Sequence, residues 1–302
     1  MSFRRALWAF AVVLCLAAPA AVRAQGDYLD VFIVKVKPEK LADFQALNKK
    51  WTDANHRFNG GHWLALETLY GEGNVYQFTS THKDYAEIAK VQETEMAAIT
   101  KAFGKAAAEK MEQDFMNCLV WSRSELRKRR WDLSRKAPAD PEAYAKLIGE
   151  SRLLRTTAVH VRPGRVADFE ALLKDVKEAG ERNPNTPPVF VSQVVEGSKG
   201  TTFYVTTLRS SLGGFDNNPT TREILGEEGF KKFQQVNADS VEMAESAVLR
   251  FVPEFSNPPD EVVKVAADFW RPKSAGAISA STLKPKSATV EPTSAKEPVK
   301  KP

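Results

Sequence analysis

The chain has 302 residues, with 43 Lys or Arg against 38 Asp or Glu and a formal net charge of +5. That length suffices for one large domain or two ordinary ones built on an apolar core, and two cysteines exclude a disulfide-stapled scaffold. Residues 1–24 and 271–302 together carry ten of the 43 basic and two of the 38 acidic residues; residues 25–270 keep 33 and 36, a net −3, which excludes a basic nucleic-acid-binding body.

The first 24 residues place Arg4 and Arg5 before an apolar run from Ala6 to Leu16 and end on Val22-Arg23-Ala24. This is the three-part layout of a secretory signal peptide cleaved after Ala24, and it predicts a secreted, periplasmic protein. A membrane anchor would need about 20 continuous apolar residues, and Pro19 interrupts the run. Cys15 leaves with the signal, so Cys118, flanked by Leu119 and Val120, reads as a small buried hydrophobe rather than a nucleophile.

Residues 25–130 form the first predicted unit. The β-rich YLDVFIVKV from Tyr28 ends at Lys37-Pro38, and Leu41, Phe44, Leu47 and Trp51 then recur at helical spacing. Asn59-Gly60-Gly61 turns into HWLALETLY, and Gly71-Glu72-Gly73 turns that strand back into NVYQFTS. A long helical stretch is expected from His82 to Asn117, then a strand from Leu119. The run Arg127–Trp131 reads as the solvated start of a linker over residues 131–151, in which PEAYAKLIGE adds a short helix.

Residues 152–256 repeat the pattern. VHVRPGRVADFEALLKD from Val159 matches VKVKPEKLADFQALNKK from Val34 at nine of seventeen positions. The hairpin VFVSQVV, Gly197–Gly200, TTFYVTT follows, then a helix opening at Asn218-Pro219 and a closing strand from Val248. A C-terminal extension (257–270) leads into the tail (271–302), whose Pro, Ser, Ala and Lys cannot bury enough apolar surface to offset their ordering entropy. Such a basic tail can make weak contact with an anionic surface.

Each half therefore reads β-α-β-β-α-β, the ferredoxin-like order, predicting an α+β fold of two tandem repeats packed sheet to sheet as one α/β barrel. The two motifs, with their strand, Pro-Glu or Pro-Gly turn and central Asp-Phe, resemble the dimeric α/β-barrel superfamily, the antibiotic-biosynthesis-monooxygenase-like and NIPSNAP-type domains. The resemblance spans Tyr28 to Phe255. It implies a barrel with a cavity in a group that includes cofactor-free oxygenases, haem-degrading enzymes, isomerases and domains without assigned activity.

Strand alternation places Val34, Val36, Val159 and Val161 under the helices and sends Lys35 and His160 to the opposite face. Aligning the hairpins on Gly71 and Gly197 pairs Glu67 with Gln193, and the tyrosines of the two return strands are matched as Tyr76 with Tyr204. The candidate ligand-binding set is thus Lys35, Glu67, Tyr76, His160, Gln193 and Tyr204, with His160 the best candidate for a catalytic base. His56, His62 and His82 lack compact ligand spacing and a counterpart in the second half, so no metal site is assigned. Trp51 and Trp63 read as packing residues.

The leading expectation is a non-catalytic or unassigned small-molecule-binding barrel that takes a small apolar or phenolic ligand, with the cofactor left open because the sequence requires none, that binds no nucleic acid and is a monomeric pseudo-dimer. The alternatives are a monooxygenase-like or haem-handling enzyme using the cavity around His160, and an envelope interaction module localised by its tail.

Overall fold

The computed structural model describes residues 27–216 and 218–272. The expected signal peptide, and the tail from residue 273, lie outside the described residues.

The first half comprises β1 (Tyr28–Val36), α1 (Leu41–Arg57), β2 (Leu64–Tyr70), β3 (Val75–His82), α2 (Tyr85–Phe103), α3 (Lys105–Asn117) and β4 (Leu119–Arg129). After α4 (Pro141–Glu150) the second half runs β5 (Leu153–Val161), α5 (Val166–Arg182), β6 (Phe190–Glu196), β7 (Thr201–Arg209), α6 (Thr221–Ser240) and β8 (Val241–Phe251). Two short helices, α7 (Asp260–Val265) and α8 (Ala267–Trp270), follow.

The eight strands close into one barrel in the order β1-β3-β2-β8-β5-β7-β6-β4. Within each half the order is that of a ferredoxin-like sheet. The halves join edge to edge, β2 to β8 and β4 to β6, and every pairing is antiparallel. Closure satisfies the four edges that two separate sheets would expose, which is the physical reason for carrying both copies in one chain.

The predicted helix faces pack as their spacing requires. Phe44 on α1 is fully buried with Val34, Val36 and Ala65, and Phe169 on α5 with Val159, Val161 and Phe203. Burying one such ring contributes about 1.5–3 kcal/mol. The second helix of each half departs from the expected continuous rod. Gly104, at φ 82°, ends α2 and starts α3, and Gly226, at φ 70°, kinks α6. Both conformations lie where side chains with a Cβ are strained. The cap of α6 is Thr220, in a reciprocal capping box with Glu223, rather than Asn218. The closing strand expected from Val248 begins earlier, β8 opening at Val241.

Side chains pack the barrel interior at one end and midway. One end holds Leu66, Phe190, Leu208, Leu249 and Phe251, plugged by Ile148 of α4 and by Val262, Val263 and Trp270 of the C-terminal extension. Trp270 Nε1 donates to the Gly149 carbonyl at 3.1 Å, tying α8 to α4. Midway, Arg127 and Glu125 form a buried ion pair at 2.7 Å, and the Arg127 guanidinium lies 3.4 Å from the Tyr204 ring centroid. This corrects the reading of Arg127–Trp131 as a solvated run. Arg127 points inward, and Arg129 is buried between Tyr144 and Trp131.

Candidate functional site

The six residues chosen from the sequence do not share a cavity. Lys35 pairs in register with Val75, and Val75 packs with Val31 and Ile33 inside the barrel. His160 and Tyr204 lie on the same interior side of the second half, His160 Nδ1 3.1 Å from Thr202 Oγ1 and Tyr204 donating to buried Glu125 at 3.2 Å. Tyr76, by contrast, packs against Phe44 with ring centroids 4.9 Å apart, under the helices. Glu67 is its register partner on that face, accepting from the Tyr76 hydroxyl at 3.1 Å. Gln193 pairs with Phe203, also under the helices, and accepts from Arg130 at 2.9 Å. The set is therefore split, Lys35, His160 and Tyr204 inward and Glu67, Tyr76 and Gln193 outward.

The cause is one residue of hairpin register. Val34 pairs with Tyr76 and Val159 with Phe203, so Tyr76 corresponds to Phe203, not to Tyr204. A slip of one along a strand exchanges its two faces. Burial and the neighbouring Glu67 carboxylate push the Tyr76 phenol up, as burial does for Tyr204.

The larger cavity lies elsewhere, outside the barrel, between the first-half sheet and its helices. Its volume is about 410 Å³. β1 supplies Asp30 and Phe32, on the side that carries Val34 and Val36; β3 supplies Phe78, Ser80 and His82. Trp51 enters from α1, Gln92 and Glu95 from α2, Glu112 and Phe115 from α3, and His62 and Trp63 from the turn before β2. The turn that carries His62 and Trp63 is pinned by the segment that follows β8. Trp63 Nε1 donates to Phe255 O at 2.7 Å, Asn257 Nδ2 donates to Gly61 O at 2.7 Å, and His62 Nδ1 stands 3.2 Å from Asn257 O.

Its titratable groups are perturbed by a common cause. Burial raises the Asp30 carboxyl above its ordinary range, opposed by His82 and by a hydrogen bond with Gln92. Burial raises Glu95 too, opposed by Trp51 Nε1, which donates to Glu95 Oε1 at 2.6 Å, and assisted by the Asp30 charge. His82 is only 3 % exposed, and burial lowers its imidazole against the pull of Asp30 and Glu87. Its Nε2 lies 2.8 Å from Ser80 Oγ. The result is two carboxyls shifted up and one imidazole shifted down toward one another, in an aromatic-walled cavity whose lining contains no Lys or Arg. Such convergence is the usual environment of proton-transfer groups and of donors that fix a ligand.

No protein-family model matches the chain, and no curated protein matches it. Its likenesses are to solved structures. An anthrone oxidase-like protein superposes at TM-score 0.49 and 11 % identity over 77 % of this chain and 93 % of that one. A haem-binding protein from Thermus thermophilus gives 0.42 and 11 % over the same shares. A mutant chlorite dismutase from Candidatus Nitrospira defluvii gives 0.45 and 10 % over 80 % and 96 %. The likeness is of fold alone.

Sequence reasoning passed over Asp30, Gln92 and Glu95, and set His82 and His62 aside as isolated histidines. One signal was available. Asp30 stands on the strand face of Phe32, Val34 and Val36, where a charge has no reason to be unless something beneath the helices uses it. His56 lies exposed on α1, outside the cavity. Among the described residues no group of three or more His, Cys, Asp or Glu could hold a metal ion. Cys118 is buried, its thiol raised by burial and donating to Asp114 O at 3.2 Å.

Proposed function

We propose that this protein binds a small aromatic molecule in the first-half cavity, and that the ligand presents a hydrogen-bond donor, a phenolic hydroxyl or an ammonium, to Asp30 and Glu95. The observation that carries this reading is the pairing of the aromatic walls with the half-buried carboxyls of Asp30 and Glu95 and no opposing cation in the lining. Phe32, Phe78, Phe115 and Trp51 supply flat apolar contact, and the carboxyls fix the polar end. The pocket disfavours anions. A haem group, whose propionates would meet Asp30, Glu95 and Glu112 without a neutralising side chain, does not suit this lining.

A second reading is favoured by the Asp30–His82 neighbourhood. The raised carboxyl is a stronger base than a free one and the lowered imidazole favours its neutral form, so either could accept a proton from a bound phenol. The oxygenase alternative would then use His82 in place of His160, with dioxygen consumed by the resulting phenolate. The compartment we propose, from the amino-terminal pattern, is the periplasm.

The test is calorimetric titration with three ligands of one shape, 2-naphthylmethylamine, 2-naphthol and 2-naphthoate. The amine and the naphthol should bind and quench tryptophan fluorescence, and naphthoate should bind at least tenfold more weakly at this site. Asp30→Asn should weaken the amine at least tenfold. Equal binding of amine and naphthoate, both insensitive to Asp30→Asn, would sink the reading. Oxygen uptake with an electron-rich naphthol, lost in His82→Ala, would favour the second reading.

A further inference from the structure

The second half carries a cavity in the corresponding place, between its sheet and helices, of about 300 Å³. Its chemistry is inverted. The 125-residue offset of the repeat places Arg155 where the first half has Asp30, and strand register places Arg209 where it has His82. Arg135 and Lys177 join Arg155 in the lining, and no Asp or Glu does. The remaining wall is mostly aliphatic, with Leu133, Leu173, Val176, Val191, Val205 and Ile224 prominent.

The cations differ in how far they are already satisfied. Arg155, on β5, lines the cavity from its exposed edge, and its side chain makes no ion pair or hydrogen bond among the described residues. Arg135 is only 6 % exposed and donates through Nε to Pro187 O at 3.2 Å, with no carboxylate bonded to it. Its guanidinium lies over Gly180, where even a Cβ would collide with Nη1. Lys177 is the most engaged, donating to Trp131 O and Asp132 O at 3.4 and 3.2 Å and standing 3.9 Å from Glu181. A buried guanidinium without a bonded carboxylate is costly unless something neutralises it. Burial, then the nearby Arg209 charge, lowers Arg135, with Glu181 opposing.

We infer that this second cavity is a binding site for an amphiphilic anion, an aliphatic body ending in a carboxylate or phosphate head that Arg155 and Arg135 hold. The aliphatic wall takes the body and the guanidinium pair takes the head, with the planar fork suited to bidentate contact. Thr157, Thr207 and Asn218 line the same space and can donate to remaining head oxygens. The site is independent of the first-half reading, because no residue lines both cavities.

The experiment is calorimetry on the full chain with decanoate, decyl phosphate, 1-decanol and inorganic phosphate, each below its aggregation limit. Decanoate or decyl phosphate should bind saturably, one per chain, and whichever is tighter identifies the head. Decanol and inorganic phosphate should each bind at least tenfold more weakly than that ligand. Arg155→Ala should weaken the anion at least tenfold without lowering Tm, because Arg155 makes no contact that folding needs, and Arg155→Lys should restore part of the loss. Decanol binding as well as the anions would overturn the proposal. So would inorganic phosphate matching them, an unchanged affinity in Arg155→Ala, or the absence of saturable binding by either anion.

Discussion

The two halves share strand order, helix packing and even a broken second helix, yet their outer cavities are opposite in sign. The first is aromatic and acidic, with Asp30, Glu95 and Glu112 in its wall; the second is aliphatic and basic, with Arg135, Arg155 and Lys177. The difference sits at positions that the fold leaves unconstrained. Val34 and Val159, or Phe44 and Phe169, are held alike because both sheets must be covered by a helix. Asp30 and Arg155 lie near the starts of β1 and β5, where each lines its cavity instead of packing under a helix.

The cores beneath the helices also differ, and this gives the largest expected effect. Phe44 meets the rings of Tyr76, Phe78, Phe115 and Phe255, whereas Phe169 meets Phe203. Phe44→Ala should cost about 3–5 kcal/mol and Phe169→Ala should fall toward the lower end of that range. Denaturant titration measures both, and the reverse order would mean that the halves do not share load as their ring contacts indicate.

Exchanging the charges tests whether one position sets the sign of each cavity. Asp30→Arg should weaken 2-naphthylmethylamine by roughly 10- to 100-fold, the order expected for losing one charge-assisted contact and gaining a like charge. Arg155→Asp should do the same to decanoate. Calorimetry on both variants reads this directly, and unchanged affinities would place the selectivity elsewhere.

The cavities should also differ in pH response. As pH falls, Asp30 and Glu95 take up protons at a higher pH than free carboxyls and His82 becomes cationic, so all three changes weaken a bound ammonium. Its affinity should rise from pH 5 to 8. Guanidinium groups do not titrate in that interval, and decanoate is ionised at its upper end, so decanoate affinity should stay nearly level from pH 6.5 to 8. Parallel titrations at four pH values would show a shared profile if the two linings were not what separates them.

The smallest effect is on stability. A buried carboxyl with a raised folded-state pKa stabilises the fold below its unfolded pKa, and that contribution is lost as pH rises through the folded value. His82, lowered by burial, acts in the opposite sense, adding stability as pH rises toward its ordinary value of 6.5. Asp30→Asn should therefore raise Tm slightly at pH 8, by no more than a few degrees, with the gain vanishing near pH 4. A loss of stability at pH 8 would mean that the ionised Asp30 is satisfied in the folded state.

The sequence was sufficient for the duplication, for each β-α-β-β-α-β half, and for the burial of Val34, Val36 and Phe44 and their counterparts. These follow from local periodicity, and a helix covering one sheet face imposes the same pattern wherever it occurs. It also settled which face Lys35 and His160 occupy, since both lie inside the repeated motif. Register across the hairpins was decided by pairing instead. With four-residue turns in both halves, only the ladders Val34 to Tyr76 and Val159 to Phe203 show that Tyr76 and Tyr204 face opposite ways. Likewise, nothing local announces that Asp30, His82 and Glu95 converge. They come from β1, β3 and α2, and what brings them together is the pairing of β1 with β3 and the packing of α2 over that sheet, a tertiary property that no single segment encodes.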